Sequence, residues 1–504
     1  MRIDFVHIGR EHLGIEYLSA ILKEAGHQVR LHYDPGIFGS EDNAFQIARL
    51  ARRFDQSRRI VTEIVSDPPD VLAFPVYTST FQWALAIARD VREKVRVPTV
   101  FGGPHATVAP EVVAADPAVD VAVVGEADAV IVELAERLAS GRDFHNLSNI
   151  AFLQDGGVTL RALADPCDLD QLPFPDKRIF EKEVNIVDDY LIMTNRGCPF
   201  GCTYCCENAI NHLYGKQYLR RRSVASVIED LCQGKKRYGF REVMFNDAIF
   251  FTDKDWLLDL LDQYRLRIGV PFRCFGQILY LDGEIARALK AADCYAVEFG
   301  LQTTSDTIRR DLLGRRETLA DAARAFDICD KEGLRYDIDH MFNLPGETVQ
   351  QGRDALRFYM GRRMLNRIKV HYLTYFPGTA MMEYAIEHGI LDKQAANRIH
   401  EGITGDFFHA FTANDPAMIQ HIKGFTRLMR LLPLLSERMV NWLTRTDRHL
   451  WFARVPGLLI ILFQILVALR GRDYRYILYI RYYIHRIRRL RTLARRAGEE
   501  EEAA

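Results

Sequence analysis

The sequence predicts an α/β protein. It has a doubly wound, Rossmann-like N-terminal domain, a second run of strand–helix repeats, and a mostly helical C-terminal region. Short apolar strands alternate with amphipathic helices over residues 1–150 and again from Leu191 to about Thr379. Such alternation is the signature of parallel sheets. A breaker-rich stretch separates the two runs, and strand patterns cease near residue 380. At 504 residues the chain exceeds one ordinary core, and roughly three domains of about 150 residues are expected. The divisions read from the sequence are 1–150, a linker at 151–187, 188–380 and 381–504.

In the first run the candidate strands are Ile3–Ile8, Gln28–Tyr33, Val71–Pro75, Thr99–Gly102 and Val119–Val124. Helical patterns fill Ile15–Ala25, Ala44–Val65, Trp83–Lys94 and Ile131–Ser140. Doubly wound sheets bind ligands at the carboxyl ends of their strands. Three such ends are small or polar: 9–14, Thr78-Ser79-Thr80 and Gly102-Gly103-Pro104-His105. Paired glycines let a bulky ligand approach the backbone. No G-x-G-x-x-G follows the first strand, which argues against a dinucleotide. The linker carries Gly156-Gly157 and the proline run through Leu172-Pro173-Phe174-Pro175-Asp176, which is turn chemistry with little periodicity.

In the second run, strands are expected at Tyr190–Thr194, Glu242–Phe245, Phe272–Gly276, Ala296–Gly300, Arg335–Phe342 and Lys369–Phe376. Six repeats fall short of the eight of a closed barrel. The first strand leads into Arg196-Gly197-Cys198-Pro199-Phe200-Gly201-Cys202-Thr203-Tyr204-Cys205-Cys206. Three thiolates at C-x3-C-x2-C spacing can wrap one face of an iron–sulfur cube and leave its fourth iron open. A zinc knuckle or a disulfide loop would use the same residues. Zinc would want a fourth donor, and His212 is the one at hand.

The cysteine stretch resembles the C-x3-C-x-aromatic-C signature of the radical S-adenosylmethionine (radical SAM) superfamily, with Tyr204 as the aromatic residue. The six repeats resemble that superfamily's partial, TIM-like (β/α)6 barrel. The segments Glu11–Leu18, Gly102–Thr107 and Val124–Asp128 resemble the cobalamin-binding domain of one large radical SAM class, over nearly all of 1–150. The resemblance implies that Cys198, Cys202 and Cys205 ligate a 4Fe–4S cluster. It places Phe200, Tyr204, Asp247, Glu298, Gln302 and Gly346 around S-adenosylmethionine. It assigns cobalamin to Glu11, Leu13, Gly14, Thr78, Ser79, Thr80, Gly102, Gly103, His105, Gly125 and Glu126. Two departures stand out. Asn246 replaces one acid of the paired acidic motif, and Gln302 stands where many relatives have Glu. The D-x-H-x-x-G motif of cobalamin mutases is absent, so cobalamin is expected base-off without histidine on cobalt, His12 and His105 being the nearest candidates. Cys206 is expected to be a bystander, and Cys167, Cys232, Cys274, Cys294 and Cys329 small core residues.

The net charge of −1 hides a basic C-terminal region. Val455–Leu469 is a fifteen-residue apolar run, short of the about 20 needed to span a bilayer. Arg470–Arg496 follows, with ten arginines, five tyrosines and one acid, Asp473. Ile477, Ile480, Ile484, Ile487 and Leu490 recur at helical steps and give that stretch one apolar face. A basic amphipathic helix of this kind is expected to lie on an anionic membrane surface. A dimer interface or a cap on the barrel are the competing readings, with nucleic acid not expected. The acidic Glu499–Glu502 tail is expected to be disordered. Nine cysteines without paired spacing form no disulfide framework, and Met1–Val6 begins a strand rather than a signal peptide. A reduced, cytoplasmic protein, peripheral on the inner face of the membrane, is the expectation.

The resemblance implies an enzyme that reductively cleaves S-adenosylmethionine to a 5′-deoxyadenosyl radical. Its expected reaction is methylation of an unactivated carbon of an apolar or lipid-like substrate, with a ferredoxin or flavodoxin as electron donor. A radical cyclase of a tetrapyrrole- or lipid-like substrate is the alternative, and a non-catalytic cobalamin and iron–sulfur sensor is the alternative of another class.

Overall fold

The computed structural model describes residues 1–39, 47–403, 415–471, 473 and 475–503. The first sheet has seven strands: β1 Arg2–Ile8, β2 Gln28–Asp34, β3 Val71–Pro75, β4 Thr99–Gly102, β5 Val121–Val123, β6 Ile150–Gln154 and β7 Gly157–Leu160. Their order is β2-β1-β3-β4-β5-β6-β7. β1 to β5 are parallel, and β6 and β7 join antiparallel. The five parallel strands lie where the alternation puts them, because each is an apolar run covered by helices on both faces. The sheet then extends past residue 150. The turn read as linker closes the β6–β7 hairpin, with Asp155 and Gly156 both at positive φ, the geometry that twisted hairpins select. The single helix expected over Ala44–Val65 is two, Ala48–Phe54 and Ser57–Ser66, broken at Asp55. Residues 44–46 lie outside the described residues.

The second sheet is wholly parallel. Its strands are β8 Tyr190–Ile192, β11 Val243–Phe245, β12 Phe272–Gly276, β13 Cys294–Gln302, β14 Tyr336–Phe342 and β15 Leu365–Tyr372, in the order β15-β14-β13-β12-β11-β8. Six parallel strands with intervening helices make the expected partial barrel. A two-residue ladder, β9 Asn195–Arg196 with β10 Arg220–Arg221, sits between β8 and β11. β15 begins and ends four residues before the expected strand. Leu373 and Tyr375 continue its apolar pattern but pack in a separate cluster with Met381 and Leu391 beyond the strand end. Alternation along β15 points Ile368, Val370 and Tyr372 into the surrounding core and leaves Arg367, Lys369 and His371 on the other face.

The C-terminal region is helical: Ala380–Glu387, Lys393–His400, Pro416–Leu431, Glu437–Arg445, His449–Phe452, Gly457–Gly471 and Arg475–Ala503. Part of the expected substrate-capping segment, 404–414, lies outside the described residues. No helix among the described residues is long and apolar enough to cross a membrane. The last helix runs through Glu499–Glu502, where disorder was expected. Its apolar face is also not disposed as expected. Leu490 and Arg486 are buried, whereas Ile480 and Ile484 are exposed. The Arg486 guanidinium donates to the carbonyls of Gly9 and Pro35 and to the Tyr33 hydroxyl, and lies over the Tyr482 ring at 3.7 Å. Arg489 pairs with Glu183 at 2.6 Å, Arg481 with Asp188 at 3.3 Å, and Asp473 accepts from Asn366 at 3.0 Å. The helix therefore runs from β15 to the segment before β8, the two edges of the open barrel, and on to the end of β1.

Candidate functional site

The cysteine loop leaves β9 through Gly197, whose φ of +91° and lack of a Cβ are both required. A Cβ there would lie 2.9 Å from the Tyr218 carbonyl oxygen. Cys205 caps the helix Cys206–Tyr214. Thr203 anchors the loop's middle: its N–H donates to the Leu313 carbonyl at 3.1 Å, its hydroxyl to that of Leu312 at 2.6 Å, and its own carbonyl accepts from Met381 N–H at 2.9 Å. Asn211 fixes the other end on the Cys198 carbonyl. All four cysteines are free and half-buried. Burial pushes the Cys198 and Cys206 thiols up to about 12 and raises those of Cys202 and Cys205. Thiols so held stay protonated at neutral pH unless a cation draws them into coordination. His212, the donor a zinc knuckle would need, bonds its own helix at Asn208 and faces solvent.

Arg315 is the group the sequence did not mark. Its guanidinium lies 3.7 Å from Cys202 Sγ and 3.1 Å from the Tyr204 hydroxyl. It also donates to the Gly300 carbonyl and pairs with Glu317. A buried cation against a cysteine sulfur stabilises thiolate charge, as an anionic cluster requires.

The strand ends around this loop carry the residues expected there. Asp247, after β11, accepts the N–H groups of Thr194 at 2.6 Å and Asn195 at 2.7 Å through Oδ1. Its Oδ2 is buried without a protein partner. Burial outweighs those two bonds and raises its carboxyl to about 7. Gln302 sits at φ +67° on a bulge between Gly300 and Gln302, with Oε1 unpartnered. Glu298 is instead paired with Lys369 inside the barrel. Gly346 lies in an exposed turn at φ +74°, braced by Glu347, whose carboxylate accepts from Asn343 and Leu344 N–H. Phe200 meets Tyr280 edge-on at 5.9 Å.

A cavity of 590 Å³ joins the two sheets. The ends of β1, β3, β4 and β5 form one wall, mainly apolar or glycine: Phe5, Gly14, Ala73, Val100, Gly102 and Gly103. The other wall is Asn195–Gly197, Glu207, Tyr218, Asn246, Asp247 and Phe275. Gly103 has φ +93°, and a Cβ there would sit 3.0 Å from Val76 N and O. A Cβ on Gly102 would instead meet nothing nearer than Val123, at 3.8 Å.

Of the cobalamin candidates, Gly14, Gly102, Gly103, Gly125 and Glu126 line the cavity. The structure places the others elsewhere. Glu11 pairs with Lys177 at 2.6 Å, and Leu13 is buried in the first turn of its helix. Thr80 bonds the Tyr77 N–H, and Ser79 is exposed. His105 is fully buried against the Phe81 ring at 4.6 Å, with Nδ1 3.2 Å from the Thr78 hydroxyl. His12 does line the cavity. Its Nδ1 accepts the Ile15 N–H at 3.3 Å as the cap of helix Leu13–Glu24, which puts the ring proton on Nε2. An Nε2–H is a donor and has no lone pair for a metal.

An ionic knot at the cavity's edge ties the domains together. Arg196, two residues before Cys198, pairs with Asp128 at 2.7 Å and lies 5.3 Å over the Tyr17 ring. Arg220 pairs with Glu126, and the Tyr214 hydroxyl accepts the Glu126 N–H at 2.7 Å. Lys177, almost wholly buried, links the segment after β7 to Glu11 and to Glu16 at 2.7 Å. No motif flags Arg196, Tyr214 or Arg220. The sole hint is Arg196 beside the first cysteine.

Residues 10–135 match the B12 binding domain family, and residues 192–359 match the radical SAM superfamily. An uncharacterized methyltransferase of Pyrococcus horikoshii is 27% identical over 392 residues, covering 75% of this chain and 79% of its own. The bacteriochlorophyllide d C-8(2)-methyltransferase of Chlorobaculum tepidum is 24% identical over 376 residues, covering 72% and 79%. Among solved structures, the radical S-adenosylmethionine methyltransferase TsrM of Kitasatospora setae superposes with a TM-score of 0.62 at 16% identity, over 90% of this chain and 99% of that one. A glycine-ended sheet facing a three-cysteine loop across one cavity, with both halves matched in sequence, makes this chain a member of the radical SAM superfamily that carries a B12 binding domain.

Proposed function

We propose that the chain is a cobalamin-dependent radical SAM methyltransferase acting on an unactivated carbon. The observation that carries this reading is the single cavity shared by the glycine-rich ends of the first sheet and the cysteine loop of the second. Cys198, Cys202 and Cys205 would hold a 4Fe–4S cluster, and the glycine wall a base-off cobalamin. When bound, these groups and S-adenosylmethionine supply the electron, the radical and the methyl group. The chain's own residues position and insulate. Arg315 sets a fixed positive charge beside Cys202 and Tyr204. Asp247 holds the Thr194–Asn195 backbone with Oδ1 and keeps Oδ2 for a donor from the cavity. Gly102 and Gly103 give the corrinoid side its close approach. His12, with its proton on Nε2, stays off cobalt.

The substrate in this reading is apolar, lipid- or tetrapyrrole-like, as the bacteriochlorophyllide relative is named for. A ferredoxin or flavodoxin supplies electrons, and the protein is cytoplasmic with a peripheral contact to the membrane's inner face. Anaerobically reconstituted protein given dithionite and S-adenosylmethionine should release 5′-deoxyadenosine. Its absence, with cluster and cobalamin both loaded, overturns the reading.

A further inference from the structure

Helix Gly457–Gly471 packs on helix Pro416–Leu431 and buries Ile460 and Ala468. Leu459, Leu462, Phe463, Leu466 and Leu469 remain 44–60% exposed. Their spacing of three and four residues puts them on one face. The last helix packs beside this one and is inverted relative to an ordinary surface helix. It buries Arg486 against Gly9 and Tyr33, while Ile480 and Ile484 are 53% and 44% exposed. An arginine turned inward with isoleucines turned outward implies an apolar partner outside the chain, since large apolar side chains left exposed together mark interaction sites.

Charge says what that partner is. Over 438–492 the described acids are Asp447, held by Arg353 at 2.8 Å, and Asp473, which is buried. Arg445, Arg454, Arg488 and Arg491 are all exposed. Trp442 and Trp451, exposed and edge-to-face at 5.9 Å, have the Arg448 guanidinium 4.3 Å over the former ring. Large apolar chains, tryptophans and unopposed arginines together match the interface of an anionic bilayer. Fifteen residues make a helix of about 22 Å, short of the roughly 30 Å hydrocarbon core, so it lies in the plane of the membrane.

We propose that the exposed face of helix Gly457–Gly471, continued by Ile480 and Ile484, seats the protein on an anionic phospholipid bilayer. The five apolar chains enter the acyl region and the arginines meet headgroup phosphates. The inference rests on the peripheral contact included in the proposed function and is independent of methyl transfer. It replaces the basic face of the last helix, spent in part on Arg486, Arg489 and Arg481, as the seat of that contact.

Flotation of the full-length, cluster-loaded protein decides it. The protein should rise with phosphatidylglycerol–phosphatidylethanolamine vesicles and not with pure phosphatidylcholine. Leu462→Glu with Leu466→Glu should cut the floated fraction about tenfold or more, and Arg488→Glu with Arg491→Glu should weaken it less and remove its salt sensitivity. Brominated acyl chains should quench tryptophan fluorescence in the wild type, a readout that needs no variant. Failure of the wild type to float or be quenched overturns the proposal. So does equal binding to phosphatidylcholine, or a dimer by light scattering that the double glutamate variant splits. 5′-Deoxyadenosine release, measured without vesicles, reports separately on the chemistry.

Discussion

The two parallel sheets present the same architectural feature, the carboxyl ends of their strands, with opposite chemistry. The first sheet ends in Gly102, Gly103, Ala73 and Val100, which shape a wall but carry no charge. The second ends in cysteines, Asp247, Gln302 and the Arg315–Glu317 pair, which offer sulfur ligands, polar atoms and a buried ion pair. A large cofactor held through its outline needs small residues and positive φ. A small, highly charged one needs fixed dipoles and counter-ions. One fold principle thus serves recognition by shape on one side of the cavity and by electrostatics on the other.

Substitutions that exchange these roles break the comparison, and the largest effect belongs to the cysteines. Cys198→Ala, Cys202→Ala or Cys205→Ala should abolish the visible absorbance of the reconstituted cluster and all 5′-deoxyadenosine. Cys206→Ala should retain both, and loss of the cluster there would end its reading as a bystander. On the shape side, Gly102→Leu projects into the cavity without meeting backbone. It should weaken cobalamin binding, followed by visible titration, at least about tenfold and leave the cluster intact. Unchanged affinity would show that the corrinoid side lies elsewhere.

The ionic knot between the walls comes next. Arg196→Met leaves Asp128 buried without its partner. Breaking such a pair costs about 3–5 kcal/mol, to be read from urea midpoints of the unloaded protein, and a change below measurement error would deny Arg196 its linking role. The smallest effect is on pH. The carboxyl of Asp247 sits at about 7 in the fold, against about 3.9 unfolded. The folded state therefore binds the extra proton, and wild-type stability should fall as pH rises from about 4 to about 7 and then level off. Each unit of that window contributes at most about 1.4 kcal/mol. Asp247→Asn should flatten the slope between pH 5 and 7, and parallel slopes for the two proteins would refute the raised value. For cobalt, the Co(II) EPR spectrum of the bound cobalamin should lack nitrogen superhyperfine splitting from a protein histidine; His12→Ala should leave it unchanged.

What could be read from the sequence was whatever is local. Five strands of one sheet and six of the other follow from apolar runs a few residues long, and the cysteine spacing is contiguous. Arg196, Arg220 and Arg315 escaped because the site residues they reach, Asp128, Glu126 and Tyr204, lie 68, 94 and 111 residues away, and an arginine in sequence gives no sign of what it will reach. The side-chain settings of Thr80 and His105 were hidden for a related reason. Both follow strand ends of the first sheet, yet Thr80 caps its own turn and His105 points into the core. The last helix shows the limit of periodicity. A stripe of isoleucines marks an apolar face but not whether that face turns inward, and one arginine with three acceptors outweighed it.

That arginine ties residue 486 to Gly9 across 477 positions. Every part of the protein needed for the shared cavity is made before the chain segment that fastens the ensemble together. Because closure entropy grows with the logarithm of loop length, so distant a tie costs about 3 kcal/mol more to close than one about ten residues apart. A change at Arg486 therefore bears at once on the end of the first strand and on the last helix, whose Arg489 and Arg481 hold the segment before β8.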